Sequence, residues 1–252
     1  MNITKSFNKP FFRIIISIIL GLLVFILSRY FADITTNNLP NIIKPENHLG
    51  KNFIFKLFML ILSVIIILLL NGGKLYSYGF NKGKNVNYAR IIWISFILSI
   101  ICLVIVIILN IFYFVITKTE PKGFDAAPFY QTIIFVWLWS SICEEVLSRG
   151  LIQGFLEPLV KFKIYVFKKN ISLPVFVAAL FFSCMHLSLL KTGMSLSLVI
   201  GILISTFILG IIAGYYREKT GSLIPAILCH IVFNIGGSLP IIIKYLIEFL
   251  TV

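Results

Sequence analysis

The sequence predicts an all-α polytopic membrane protein, a bundle of about eight transmembrane helices with both termini cytoplasmic. Three observations predict it. Hydrophobic residues fill 59% of the 252 positions and charged residues 12%, against roughly 25% charged in soluble domains. Apolar runs recur at or near the length of about 20 residues that a helix needs to cross a bilayer core. Lysine and arginine gather in every second loop, as the positive-inside bias requires.

The runs lie near 11–32, 53–71, 91–117, 129–156, 173–190, 194–216, 222–237 and 239–251. None alternates apolar with polar residues, and a backbone in lipid must satisfy its own hydrogen bonds, so helices are favoured over a barrel. The last two runs are short and are joined through Gly236, Gly237, Ser238 and Pro240. The first follows a short basic start, is too long for a signal peptide and lacks a small-residue cleavage site, so it reads as a retained span.

Orientation follows from the loops. Lys5, Lys9 and Arg13 precede the first span, and Lys74, Lys82, Lys84 and Arg90 separate the second from the third. Lys161, Lys163, Lys168 and Lys169 follow the fourth, and Arg217 and Lys219 follow the sixth. The intervening loops carry fewer cations (Lys44, Lys51, Lys118, Lys122, Lys191) mixed with Asp33, Glu46, Glu120 and Asp125. An even number of spans with both ends inside satisfies this pattern.

The net charge of +13 is then the ordinary result of basic loops beside an anionic leaflet. No separate basic soluble domain exists, so no nucleic-acid partner is expected. The segment KLYSYGFNKGKNVNYAR at 74–90 reads as an aromatic and basic anchor at the interface. No internal repeat or low-complexity tail interrupts residues 1–252, which read as one membrane domain with N-terminal spans over 1–117 and a core over 129–237.

Against that background the stretch CEEVLSRG at 143–150 stands out. An ionisable residue inside a span is a functional-site candidate, because burying it costs at least a few kcal/mol. Glu145 and Arg149 are four apart, on one helical face and in the favourable order, so they can neutralise each other. Glu144 is rotated about 100° away and has no partner on its own helix. Other polar groups should therefore converge on it from other spans.

The chain has three histidines. His48 falls in an outer loop, while the other two lie within apolar runs, as FFSCMH at 181–186 and CHIVFN at 229–234. His230 and Asn234 are four apart on one face of their helix, and Phe182 stands in the same relation to His186.

Together these residues are a resemblance. Glu144-Glu145-x-x-x-Arg149, Phe182-x-x-x-His186 and His230-x-x-x-Asn234, in that order, resemble the CAAX protease and bacteriocin-processing family of intramembrane endopeptidases. The motifs span residues 144–234, with no departure at the motif positions; the earlier spans resemble the family only in hydropathy and in their basic loop.

The resemblance implies a glutamate-dependent peptidase in a cell membrane, expected to be the plasma membrane of a bacterium. By position, Glu144 would be the base and His186 would hold the same water. His230 and Asn234 would donate to the developing oxyanion, and Glu145, Arg149 and Phe182 would support the site. Peptide hydrolysis requires both kinds of group. No cofactor is expected. Two histidines and two glutamates could instead hold zinc, with Glu144, His186 and His230 as ligands and an open position for water. The zinc-protease signature HExxH is absent, since neither buried histidine precedes a glutamate, and the metal-free alternative is favoured.

Three of the four cysteines, Cys143, Cys184 and Cys229, adjoin motif residues. They read as small packing residues, with oxidant or heavy-metal inhibition through these thiols as a hypothesis. The expected partners are the bilayer and a peptide or protein substrate. Relatives in eukaryotes remove three residues after a prenylated cysteine; here the resemblance suggests a small membrane-associated peptide or leader, a bacteriocin or pheromone precursor. Two rival readings stay open. One is a non-catalytic scaffold or immunity protein that regulates a sensor kinase or transporter, and the other is a transporter whose glutamate and histidine relay protons.

Overall fold

The computed structural model describes residues 10–40, 48–123, 128–166 and 169–251. Lys5, Lys9, Lys44, Glu46, Asp125 and Lys168 of the loop-charge pattern, and the side chains of His48 and Lys169, lie outside what is described. Helix α1 is Pro10–Asn38, α2 is His48–Leu70 and α3 is Tyr88–Thr117. A helical stretch over 129–155, here α4, precedes a hairpin of β1, Lys163–Val166, and β2, Lys169–Ser172. Then come α5, Leu173–Met185, a 3-10 turn His186–Thr192, α6, Leu196–Thr220, α7, Leu223–Gly237, and α8, Leu239–Leu250.

Five helices, Pro10–Asn38, Leu49–Leu70, Tyr88–Thr117, Leu173–Thr192 and Leu196–Thr220, are long and apolar enough to cross a membrane. The pair Leu223–Gly237 and Leu239–Ile247, bent by 53°, makes six if taken as one span. The expected number was about eight, and the difference has two physical sources. The expected seventh and eighth spans meet at a sharp bend where Pro240 sits at the start of α8, and neither half is long enough alone. The expected fourth, α4, carries two glutamates and an arginine and is no regular α-helix, for its hydrogen-bond ladder widens to the π pattern over Thr132–Ser140 and Val146–Ile152.

The hairpin is an addition to the all-α expectation. Its register pairs Ile164 with Ile171 and Tyr165 with Asn170, and the β-branched and aromatic residues of KIYV favour a pleated strand over a coil. Lys163 and Ser172 both engage Glu218 near the end of α6, the lysine at 3.5 Å. The hairpin is thereby tied to the bundle.

Small residues set the packing, because apolar side chains gain little from meeting each other rather than lipid. The buried stripe of α1 is Ser17, Gly21, Val24, Ser28, Ala32 and Thr36, and that of α3 is Ile91, Ser95, Ser99 and Cys102. On α6 a Cβ at Gly210 would lie 2.7 Å from the Cβ of Ala179, so only glycine lets α5 approach this closely. Helix α4 sits at the centre, buried on every side from Cys143 to Gly154, with α1, α2, α5 and α7 around it.

The 74–90 segment, expected as an interface anchor, packs against the bundle. Tyr76 is exposed, but Tyr78 is buried against Gly154 of α4. Leu223 N–H donates to Gly79 O at 2.9 Å, and Asn81 Nδ2 donates to Gly221 O at 2.7 Å. The loop closes the end of the bundle over the turn from α6 to α7.

Candidate active site

Glu144 and Glu145 lie in Ser141–Glu145, the short α-helical turn between the two π segments. Such wide turns are uncommon and concentrate at functional sites. Here they surround the charged residues of α4. Glu145 and Arg149 form the expected ion pair, Nη1 to Oε1 at 2.9 Å, with both side chains fully buried. The same Oε1 is 2.9 Å from His230 Nδ1 on α7. Glu145 therefore holds a histidine ring of another helix as well as its own arginine, a role the spacing alone did not assign it.

A carboxylate oxygen only accepts, so Nδ1 of His230 carries a proton and donates it to Glu145. The other ring nitrogen, Nε2, then faces Glu144 Oε2 at 3.6 Å. That distance is beyond a direct hydrogen bond. His186 is half-buried at the end of α5, with Nδ1 2.9 Å from Phe182 O. A carbonyl likewise accepts only, so His186 donates through Nδ1 and leaves Nε2 as a free acceptor.

Phe182 is the hub. Its ring meets His186 edge-on at 5.2 Å and His230 at 5.5 Å, and the Arg149 guanidinium lies over it at 4.5 Å. The sequence paired Phe182 with His186 alone. In the structure one buried aromatic surface aligns both imidazoles and shields the cation, a favourable use of the ring face.

Asn234 points back toward α4. Its Nδ2 donates to Ser141 Oγ at 3.1 Å and to Val136 O at 3.3 Å. One further residue was missed by sequence reasoning. Lys56 of α2 is buried, and its Nζ lies 2.5 Å from Glu144 Oε1. Glu144, without a partner on its own helix, has one from across the bundle. The signal that could have found Lys56 is the one applied to Glu144, an ionisable residue inside an apolar run.

All three motifs therefore meet at the contact of α4, α5 and α7, with α2 completing the group. Residues 126–236, just under half of the chain, match the family model of the Rce1-like type II CAAX prenyl endopeptidases. That is the CAAX protease and bacteriocin-processing family. No curated protein and no solved structure matches the chain. The matched segment contains every motif residue and ends just after Asn234, so the family model and the clustered side chains point to the same place. It is a protease family, which supports a peptidase, and the several apolar helices suggest a multi-pass membrane protein.

Among the described residues, no group of three or more His, Cys, Asp and Glu side chains is placed to hold a metal ion. All four cysteines are free, with Cys102, Cys143 and Cys229 buried and Cys184 exposed.

Proposed function

We propose that the protein is an intramembrane endopeptidase that hydrolyses a peptide bond at the membrane, with Glu144 as the base. The observation that carries this reading is the side-by-side placement of two acceptors, Glu144 Oε2 and His230 Nε2, 3.6 Å apart on buried side chains. Two acceptors that close call for a donor beside them. Water supplies it, and Nε2 of His186 is the further acceptor that orients it.

The chemistry balances without a metal. The water oxygen attacks the scissile carbonyl carbon while one of its protons passes to Glu144 Oε2. The carbonyl π electrons move to oxygen, giving a tetrahedral oxyanion, which Asn234 and His230 stabilise by donation. Asn234 can turn one Nδ2 N–H to the oxyanion by giving up the longer of its two bonds, to Val136 O at 3.3 Å. His230 donates through Nε2 once the water proton taken by Glu144 Oε2 has passed to it across their 3.6 Å separation, and it hands that proton back to Glu144 as the oxyanion collapses. The carbon–nitrogen bond then breaks, Glu144 returns the proton to the leaving nitrogen, and a carboxylic acid and an amine depart. An ammonium at Glu144 Oε1 also fits a metal-free step, because it takes the place at that oxygen that a cationic ligand would need.

The substrate class is a small membrane-associated peptide or leader, such as a bacteriocin or pheromone precursor. A pocket open to the cytoplasmic leaflet would receive it there, and the basic loops would favour acidic segments. Purified wild type and Glu144→Gln are to be incubated with peptide precursors encoded beside the gene and with prenylated CAAX-type peptides. Products are read by mass spectrometry with and without a chelator. Cleavage by wild type alone, unaffected by chelator, is expected. Cleavage by Glu144→Gln would end the assignment, and loss on chelation would restore the zinc alternative.

A further inference from the structure

The geometry points to Lys56 as a positioning residue of this site, the counter-ion that keeps Glu144 ionised inside the bundle and occupies Oε1 so that Oε2 serves water. This rests on the reading of Glu144 as the base.

The first support is where the ammonium goes. A lysine near the end of a span ordinarily extends its stem along the helix until the charge reaches water. Lys56 does the opposite. Its side chain is 10% exposed, that of Glu144 is 9%, and their charged atoms are 2.5 Å apart. Two charges withdrawn from solvent in this way are tolerable only as a pair.

The second support is the distribution of partners. Glu144 and Glu145 are adjacent carboxylates, and the nearby donors divide unequally between them. Arg149 and His230 both converge on Glu145 Oε1. Among the described residues Glu144 receives only Lys56, since His230 Nε2 at 3.6 Å is too far to bond it directly. With Lys56 and Arg149 against Glu144 and Glu145, the four formal charges cancel and both imidazoles can stay neutral, as acceptors at Nε2. Without Lys56 the carboxylate of Glu144 would stand alone in an apolar surrounding, and a group so placed gives up its charge by taking a proton. It could then no longer accept one from water.

The third support is that the placement is built rather than incidental. Three residues before Lys56, Phe53 stacks on Trp139 of α4 at 5.0 Å, and Trp139 Nε1 donates to Phe53 O at 3.2 Å. This clamp fixes the register of α2 against α4. The Lys56 ammonium also lies 5.1 Å from the centre of the Phe55 ring. With Oε1 so held, the carboxylate cannot rotate freely, and Oε2 is the atom turned to His230.

The test reads the ionisation of Glu144 by infrared difference spectroscopy in lipid vesicles at neutral pH, which needs no substrate. A C=O stretching band of a protonated carboxylic acid is expected in Lys56→Met, absent from wild type and absent from the double variant Lys56→Met/Glu144→Gln. A Lys56→Met protein without the band overturns the proposal; should that variant not accumulate in folded form, Lys56→Gln gives the same reading. A second arm uses a quenched fluorescent prenylated peptide as probe. There, kcat of Lys56→Met is expected to fall by roughly a hundredfold or more while KM changes little, and Lys56→Arg to recover part of the loss. Inactive Glu144→Gln beside fully active Lys56→Met would overturn the Lys56 role alone. Active Glu144→Gln would remove the base assignment and the Lys56 role with it.

Discussion

Glu145 Oε1 stands 2.9 Å from His230 Nδ1 and, at the same distance, from Arg149 Nη1, so one carboxylate oxygen joins α4 to α7 and sets the tautomer of a candidate catalytic ring. Removing it should act twice. Glu145→Ala strands a fully buried arginine whose Nε and Nη2 already lack a hydrogen-bond partner among the described residues, which should cost roughly 3–5 kcal/mol. It also frees the His230 ring, so kcat should fall more than KM rises. Thermal unfolding in detergent checks the first effect and steady-state kinetics the second. Unchanged melting of Glu145→Ala would contradict the ion-pair role.

Asn234 can be a clamp, an oxyanion donor or both, and its partner Ser141 separates these. Ser141→Ala removes only the clamp bond of 3.1 Å, worth about 1 kcal/mol of stability, and should leave turnover nearly intact. Asn234→Ala should lower kcat by roughly 10²–10³. Equal effects of the two substitutions would reduce Asn234 to a structural tie between α7 and α4.

The close approach of α5 and α6 predicts intolerance at one glycine. A Cβ at Gly210 would sit 2.7 Å from Ala179 Cβ and 2.8 Å from its Cα. Gly210→Ala should therefore destabilise by about 1–3 kcal/mol through overpacking, measured as a lower melting temperature. Arg149 Nη2 lies 3.3 Å from the same point, so activity should fall with stability.

The thiols are not equivalent. Cys184 is exposed and the other three are buried, so a maleimide should label the folded protein at Cys184 alone, with the remaining thiols reacting after denaturation. If thiol reagents inhibit, Cys184→Ser should abolish the effect, since Cys184 lies two residues before His186. Persistent inhibition would place the reactive thiol elsewhere.

Outside the spans, burial pushes the Tyr78 phenol above its ordinary value of 10.0, with Arg13 opposing. The folded protein thus favours the neutral phenol more than the unfolded chain does. Its contribution is full below the ordinary value and is lost as pH rises through the raised one. Tyr78→Phe should flatten the alkaline decline of the melting temperature, followed from roughly pH 9 upward.

Much of the site was legible because it obeys helical spacing. Glu145 and Arg149, Phe182 and His186, and His230 and Asn234 are each four apart, a separation that places side chains together whatever the tertiary fold. What spacing cannot carry is a contact between helices distant in sequence. Lys56 and Glu144 are 88 residues apart, and a lysine early in an apolar run ordinarily reads as one that extends to the interface. The hairpin at 163–172 was hidden for a different reason, since its lysines marked it as a basic loop. Nor does any residue type announce the π segments.

Those π segments carry a consequence for the genetics of the site. A π turn is a helix holding a surplus residue, so α4 can lose one amino acid from Thr132–Ser140 and fall back to a regular ladder without breaking. The flanking residues would keep their faces, so Trp139 would still meet Phe53 and Glu144 would still meet Lys56. The same deletion in the regular helix α2 would rotate one side against the other by about 100°, so a one-codon loss should be borne at Thr132–Ser140 and not there.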